Sequence, residues 1–136
     1  IQIVFDQTYQ LLENAYAALV ASGTATLETA LFKVLQAVLY RVEGGWPVHF
    51  VMKKFVLKIE WASLPNLILN KTAIKEYLQV EMTVKNVNAE LKRLLFDLEY
   101  RKRMLDDYNR LAEIIGNPGT SEIAAAKMLE LLKQNK

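Results

Sequence analysis

The chain has 136 residues, the size of one compact domain, and its 52% hydrophobic and 24% charged content can bury a core, which excludes intrinsic disorder. Lys plus Arg is 17 against 15 Asp plus Glu, and a net charge of +2 is too small to make nucleic acid the main partner. With no cysteine and a single histidine, His49, disulfide frameworks, thiolate zinc centres, cysteine nucleophiles and histidine metal clusters are excluded.

The first residue is Ile1 and no charged stretch leads into an apolar signal core, so the chain reads as a piece of something longer. Lys33, Arg41, Lys53 and Lys54 interrupt every apolar run before it reaches the roughly 18 residues a membrane span needs.

In chain order, Ile1, Ile3, Val4 and Phe5 form a short apolar run expected to be a buried strand. A helix over residues 7–15 follows, with Asp6 placed to cap it and Tyr9, Leu12 and Tyr16 at helical spacing. Residues 17–21 give a second strand, residues 24–32 a helix with Leu27, Ala30 and Leu31 on one stripe, and residues 37–40 a third strand. After a turn-like break at residues 42–45, Pro47 opens a helix running to about residue 57. Residues 59–62 are a candidate fourth strand, and the Pro65 that follows marks a loop or a fresh helix start at residues 63–66. Thr83 is expected to cap a helix carrying Val84, Val87, Leu91, Leu94 and Leu95. Another helix over residues 98–115 is arrested by Gly116, Asn117 and Pro118, and a last one spans residues 121–133. Strand, helix, strand, helix, strand implies an α/β fold: a Rossmann-like, partial doubly wound parallel sheet of three to four strands, with the last helices packed across its edge.

The loop from Ala21 to Glu28, small and hydroxyl-bearing, joins a strand to a helix at the carboxyl end of the sheet, where open α/β sheets place ligands. The unpaired amides at the helix start and the positive end of its dipole suit a phosphate without any lysine, and Gly23 lets the backbone approach closely. Glu28, about one turn on, is placed to accept hydrogen bonds from two ribose hydroxyls. A plainer reading of the same residues stands beside this one: Ser22 and Thr24 as helix caps and Glu28 as a solvated first-turn acid.

Four motifs in order, the run from Ala18 to Glu28, then Val38-Leu39-Tyr40-Arg41, Ser63-Leu64-Pro65-Asn66-Leu67 and Glu76-Tyr77-Leu78-Gln79, closely resemble the C-terminal half of the lipid-A-disaccharide synthase family. The resemblance covers essentially the whole chain and is weakest in residues 42–58 and the last two helices. It implies half of a two-domain GT-B glycosyltransferase, with residues 1–136 as a single nucleotide-sugar-binding portion. The family joins a UDP-linked 2,3-diacylglucosamine to 2,3-diacylglucosamine 1-phosphate, releasing UDP and making the lipid A precursor. Carried over residue by residue, Ser22, Gly23, Thr24, Ala25 and Thr26 hold the diphosphate, Glu28 faces the ribose, and Asn66, Glu76 and Gln79 line the nucleotide-sugar cleft. Asn and Gln each pair a donor with an acceptor, which suits base and sugar hydroxyls. Without the family, Asn66 reads as a turn cap, Gln79 as a half-exposed helix residue, and Arg41 as either a phosphate partner or a surface ion pair.

No metal is needed, since helix N-termini and polar side chains can hold the diphosphate and no carboxylate pair stands clustered at metal spacing; the resemblance implies no cofactor, a cytoplasmic setting, and catalytic residues outside this stretch. The acceptor site and the general base belong to the other domain, so this piece is expected to be inert alone. Two positions depart from the family pattern. Leu35 stands where a proline usually enters the third strand, lengthening the apolar run and freeing the entry turn. Asn70 stands where glycine is common, and Asn tolerates a left-handed backbone. Residues 46–58, with Trp46, Phe50, Met52 and Phe55 beside Lys53, Lys54 and Lys58, fit either peripheral contact with the inner membrane or a helix on the sheet with its lysines in water. The alternative from another class is a non-enzymatic module that binds a phosphate ligand or pairs with another subunit.

Overall fold

The computed structural model describes residues 1–21, 23–40, 61–78, 81–116 and 119–134. Its centre is a parallel sheet of three strands in the order β1 (Ala17–Val20), β2 (Leu35–Tyr40), β3 (Lys75–Leu78). Ala17 pairs with Leu35 and Val20 with Val38, while Ala37 pairs with Lys75 and Tyr40 with Leu78. Leu35, Gln36, Ala37 and Val38 are all buried, as a central strand covered on both faces must be.

Helix α1 (Thr8–Asn14) precedes β1, and α2 (Gly23–Leu31) crosses from β1 to β2. A short α3 (Leu64–Leu69) leads into β3, after which α4 (Val84–Phe96), α5 (Leu98–Ile115) and α6 (Thr120–Gln134) complete the chain. The register alternation assigns the helices to faces. Gln36 donates to the Thr26 carbonyl of α2 at 2.9 Å, and Glu76 reaches the start of α3, so α2 and α3 lie on one side. Tyr77, pointing the other way, reaches Glu90 of α4 on the opposite side. The expected α/β, Rossmann-like arrangement with helices on both faces is therefore present.

Helix α5 packs Met104, Tyr108 and Leu111 inward at spacings of four and three, and all three are buried. Arg101 stacks over Tyr16 just before β1, and Lys71, just before β3, bridges Asp107 at 2.6 Å. The helix thus passes across the amino ends of the strands, leaving the carboxyl ends on the far side. Buried Tyr108 lies beside Gln36, and burial pushes its phenol well above the ordinary tyrosine value.

Two crossovers end in the same backbone device. Lys33 N–H bonds the Ala30 carbonyl and Val34 N–H the Thr29 carbonyl, with Lys33 left-handed at φ 59°. Asn70 N–H and Lys71 N–H repeat the pattern on Leu67 and Asn66, with Asn70 at φ 52°, ψ 42°. Both are Schellman endings built without glycine. The tolerance of Asn70 for the left-handed region is realised. Leu35 does not loosen the entry turn: it is the first residue of β2, 2% exposed, behind a turn closed by two hydrogen bonds.

Several expectations need correcting. Residues 1–5 form no strand, and Ile1, Ile3 and Phe5 are exposed, because the run finds no partner strand among the described residues. Asp6 does not cap α1; it sits left-handed at φ 57°, and Gln7 holds the cap position without a side-chain bond. Trp61 and Ala62 are not in a strand; the third strand is β3, further along. The expected helix over residues 47–57, the break at 42–45 and the membrane reading of 46–58 lie outside the described residues.

Candidate functional site

The carboxyl ends of the strands carry two helix starts on one face, and the two differ. At α3, the Glu76 carboxylate does the capping: Oε1 accepts from Ser63 N–H at 3.0 Å, the Ser63 hydroxyl at 2.6 Å and Asn66 Nδ2 at 2.7 Å, while Oε2 accepts from Ala62 N–H at 2.9 Å. Ser63, the formal N-cap of α3, makes no cap bond of its own. The Ala62 and Ser63 amides and the Ser63 hydroxyl at that start are thus taken by a protein carboxylate.

At α2 the amides of Gly23, Thr24 and Ala25 have no protein acceptor among the described residues. Thr24 is exposed, and Gly23 and Ala25 are half-buried. Thr26 is fully buried, its hydroxyl donating back to the Gly23 carbonyl at 2.5 Å, and the Thr29 hydroxyl does the same to Ala25 at 2.7 Å. These bonds tighten the first turn and take the Thr26 hydroxyl out of reach of a ligand. The first turn of α2 therefore presents backbone donors, with the positive end of the dipole behind them.

Glu28, one turn on, is half-buried and lines a cavity of about 440 Å³ with Asp6, Thr8, Tyr9 and Gln10. Tyr9 stacks on Phe32 with ring centroids 5.6 Å apart, which docks α1 against the far end of α2 and forms that wall. Glu28 and the Gly23–Ala25 turn thus share one helix, with the turn at its tip and Glu28 lining the cavity.

Asn66 is fully buried and uses all its hydrogen-bonding capacity on protein. Oδ1 accepts from Ala73 and Ile74 N–H at 2.8 and 2.9 Å, and Nδ2 donates to the Ile74 carbonyl at 2.8 Å and to Glu76. Glu76 is half-buried and retains spare acceptor capacity at Oε2. Ser22, Arg41 and Gln79 lie outside the described residues. Among those described, no three His, Cys, Asp or Glu side chains gather as a metal site, and no helix is long and apolar enough to cross a membrane.

Tyr40, the last residue of β2, stands beside Gly23, and sequence reasoning singled it out only as part of a motif. Its hydroxyl is closed off from solvent and has no partner among the described residues. Burial, and then the charge of Glu76, hold its phenol above the ordinary value of 10.0, so it is a proton donor at neutral pH. The available signal was a polar tip ending an apolar run at the mouth of a central strand. Ser63 and the cavity residues Asp6, Thr8, Tyr9 and Gln10 carried no signal beyond ordinary cap and helix-start chemistry.

A parallel sheet with helices on both faces and a donor-bearing helix start at its carboxyl edge belongs to the doubly wound α/β class, in which ligands sit outside those strand ends. Within that class the chain belongs to the lipid-A-disaccharide synthetase family, whose sequence profile matches residues 2–128. It is 35% identical over 136 residues to the lipid-A-disaccharide synthase of Psychromonas ingrahamii, covering 100% of this chain and 34% of that protein. The Synechocystis enzyme of the same name is 34% identical over 137 residues, 93% of this chain and 34% of that protein, and the Syntrophus aciditrophicus enzyme 30% identical over 135 residues, 99% and 34% respectively. The chain spans about a third of the length of the curated relatives it matches.

Proposed function

We propose that the chain is the nucleotide-sugar-binding part of a lipid-A-disaccharide synthase, which transfers 2,3-diacylglucosamine from UDP to 2,3-diacylglucosamine 1-phosphate. The observation that carries this reading is the contrast between the two helix starts: the Glu76 carboxylate already stands at the start of α3, while the Gly23, Thr24 and Ala25 amides of α2 meet no carboxylate among the described residues. The UDP diphosphate sits on that first turn, and Glu28 takes the ribose at the mouth of the cavity it shares with Asp6, Thr8, Tyr9 and Gln10. Asn66 and Glu76 serve the cleft by holding α3 to β3, and Ser22, Arg41 and Gln79 complete it on the strength of the family resemblance.

In the reaction, the bond between the anomeric carbon and the diphosphate oxygen breaks and negative charge grows on the leaving group. Amides fixed at a helix start stabilise that charge without having to reorganise. The base that removes the acceptor hydroxyl proton is supplied from outside this stretch, so the chain alone does not turn over. On this reading the enzyme is cytoplasmic, and its acylated substrates call for peripheral contact with the inner membrane. Calorimetric titration of the intact protein is the test: UDP binds and uridine binds more weakly, because the diphosphate carries much of the affinity. Equal affinity for the two would remove the diphosphate from α2. The second reading, an interaction module, draws on α6, whose Ile123, Met128, Leu129, Leu131 and Leu132 are exposed.

A further inference from the structure

Tyr40 and Tyr108 both carry a hydroxyl closed off from water with no partner among the described residues, and of the two it is Tyr40 that stands at the carboxyl end of the central strand. Buried polar groups are nearly always paired, and one left over calls for an explanation. Its surroundings supply one. A Cβ built on Gly23 would meet the Tyr40 hydroxyl at 3.7 Å, so the hydroxyl stands directly beside the first residue of α2. Glu76, whose charge helps to raise the Tyr40 phenol, accepts hydrogen bonds at both carboxylate oxygens from the start of α3. The phenol stays protonated at neutral pH and has a proton to give.

We propose that the Tyr40 hydroxyl donates a hydrogen bond to a diphosphate oxygen seated on the first turn of α2, entering over Gly23 where no side chain stands. The proposal rests on the diphosphate reading above and adds to it a side-chain donor next to the backbone amides. Tyr40 then distinguishes a diphosphate-bearing ligand from the bare nucleoside. Gly23 has a second role, because its missing side chain is the path between hydroxyl and ligand.

The test uses the intact protein, with UDP and uridine as probes and thermal unfolding as a control. Tyr40→Phe is expected to bind UDP about tenfold more weakly, the loss of one hydrogen bond to a charged acceptor, while uridine binding stays the same. Its Tm stays level or rises, since the deleted hydroxyl has no partner in the free protein. Gly23→Ala places a methyl at ordinary contact distance from Tyr40, so it folds with an unchanged or higher Tm and still loses UDP affinity. A lower Tm in Tyr40→Phe, a parallel loss for UDP and uridine, or full UDP affinity in either variant overturns the proposal. If the wild type takes UDP and Tyr40→Phe takes it equally well, the role of Tyr40 falls and the diphosphate reading stands. If the wild type does not take UDP, both fall.

Discussion

Asn66 pays for its burial with four hydrogen bonds, two accepted from the backbone entering β3 and two donated, one of them to Glu76. Asn66→Ala would leave Ala73 N–H, Ile74 N–H and the Ile74 carbonyl buried without partners. Unsatisfied buried groups cost about 1–3 kcal/mol each before relaxation, so a loss of about 2–4 kcal/mol in a urea unfolding curve is expected. A loss below about 0.5 kcal/mol would mean that the network relaxes freely. The buried tyrosines make a separate statement about pH. Burial is the main cause that raises the phenols of Tyr77, Tyr100 and Tyr108, and contact with Glu90 adds to it for the first two. The folded state therefore holds its phenolic protons where the unfolded chain, with phenols near the ordinary 10.0, releases them. Stability is fully present below about pH 10 and falls as pH rises through and above it. Thermal unfolding across that range, followed beside phenolate absorbance, checks this; a flat Tm above pH 10 would contradict it.

At the scale of elements, α4 and α5 are each opened by a side-chain cap. The Thr83 hydroxyl accepts from Asn86 N–H at 3.1 Å, and Asp97 from Tyr100 N–H at 2.9 Å. Thr83→Ala should cost about 1 kcal/mol in denaturant titration, and no measurable change would show that the start of α4 is held by packing instead. The opposite sign is expected at the end of α2. Lys33 is exposed and left-handed, a conformation that costs a side-chain-bearing residue about 1–2 kcal/mol, so Lys33→Gly should raise the Tm. A lower Tm would mean that the entropy of glycine outweighs the relief. Between α4 and α5, buried Glu90 takes hydrogen bonds from the Tyr100 and Tyr77 hydroxyls and pairs with Arg93 at 3.3 Å. That joins the two helices to β3 through one carboxylate.

For the molecule as a whole, helices α2, α4, α5 and α6 were legible to within about two residues, because apolar spacing and caps agree there. The central strand was legible as an unbroken apolar run, though it starts earlier, at Leu35. β3 was not: Lys75 and Glu76 are charged, Tyr77 is the one buried position of the four, and so short an edge strand shows neither an apolar run nor an alternation. Residues 1–5 failed the other way, since a strand is made by its neighbour as much as by its composition. In the candidate site, the α2 loop and Glu28 could be read from residue type and position. The commitment of Asn66 and Glu76 to α3 could not, because hydrogen bonds across 8 to 14 positions leave no local trace. The orphan hydroxyl of Tyr40 is equally a property of the packed sheet. What unites these levels is a sheet crossed at its amino ends by α5, with the proposed diphosphate site at the start of α2 on the other end. Backbone amide spectra of the intact protein during UDP titration test that most directly. Selective shifts are expected at Gly23, Thr24 and Ala25 while Ala73 and Ile74, bonded to Asn66, stay still; silence at the three α2 amides up to millimolar UDP would overturn the diphosphate site.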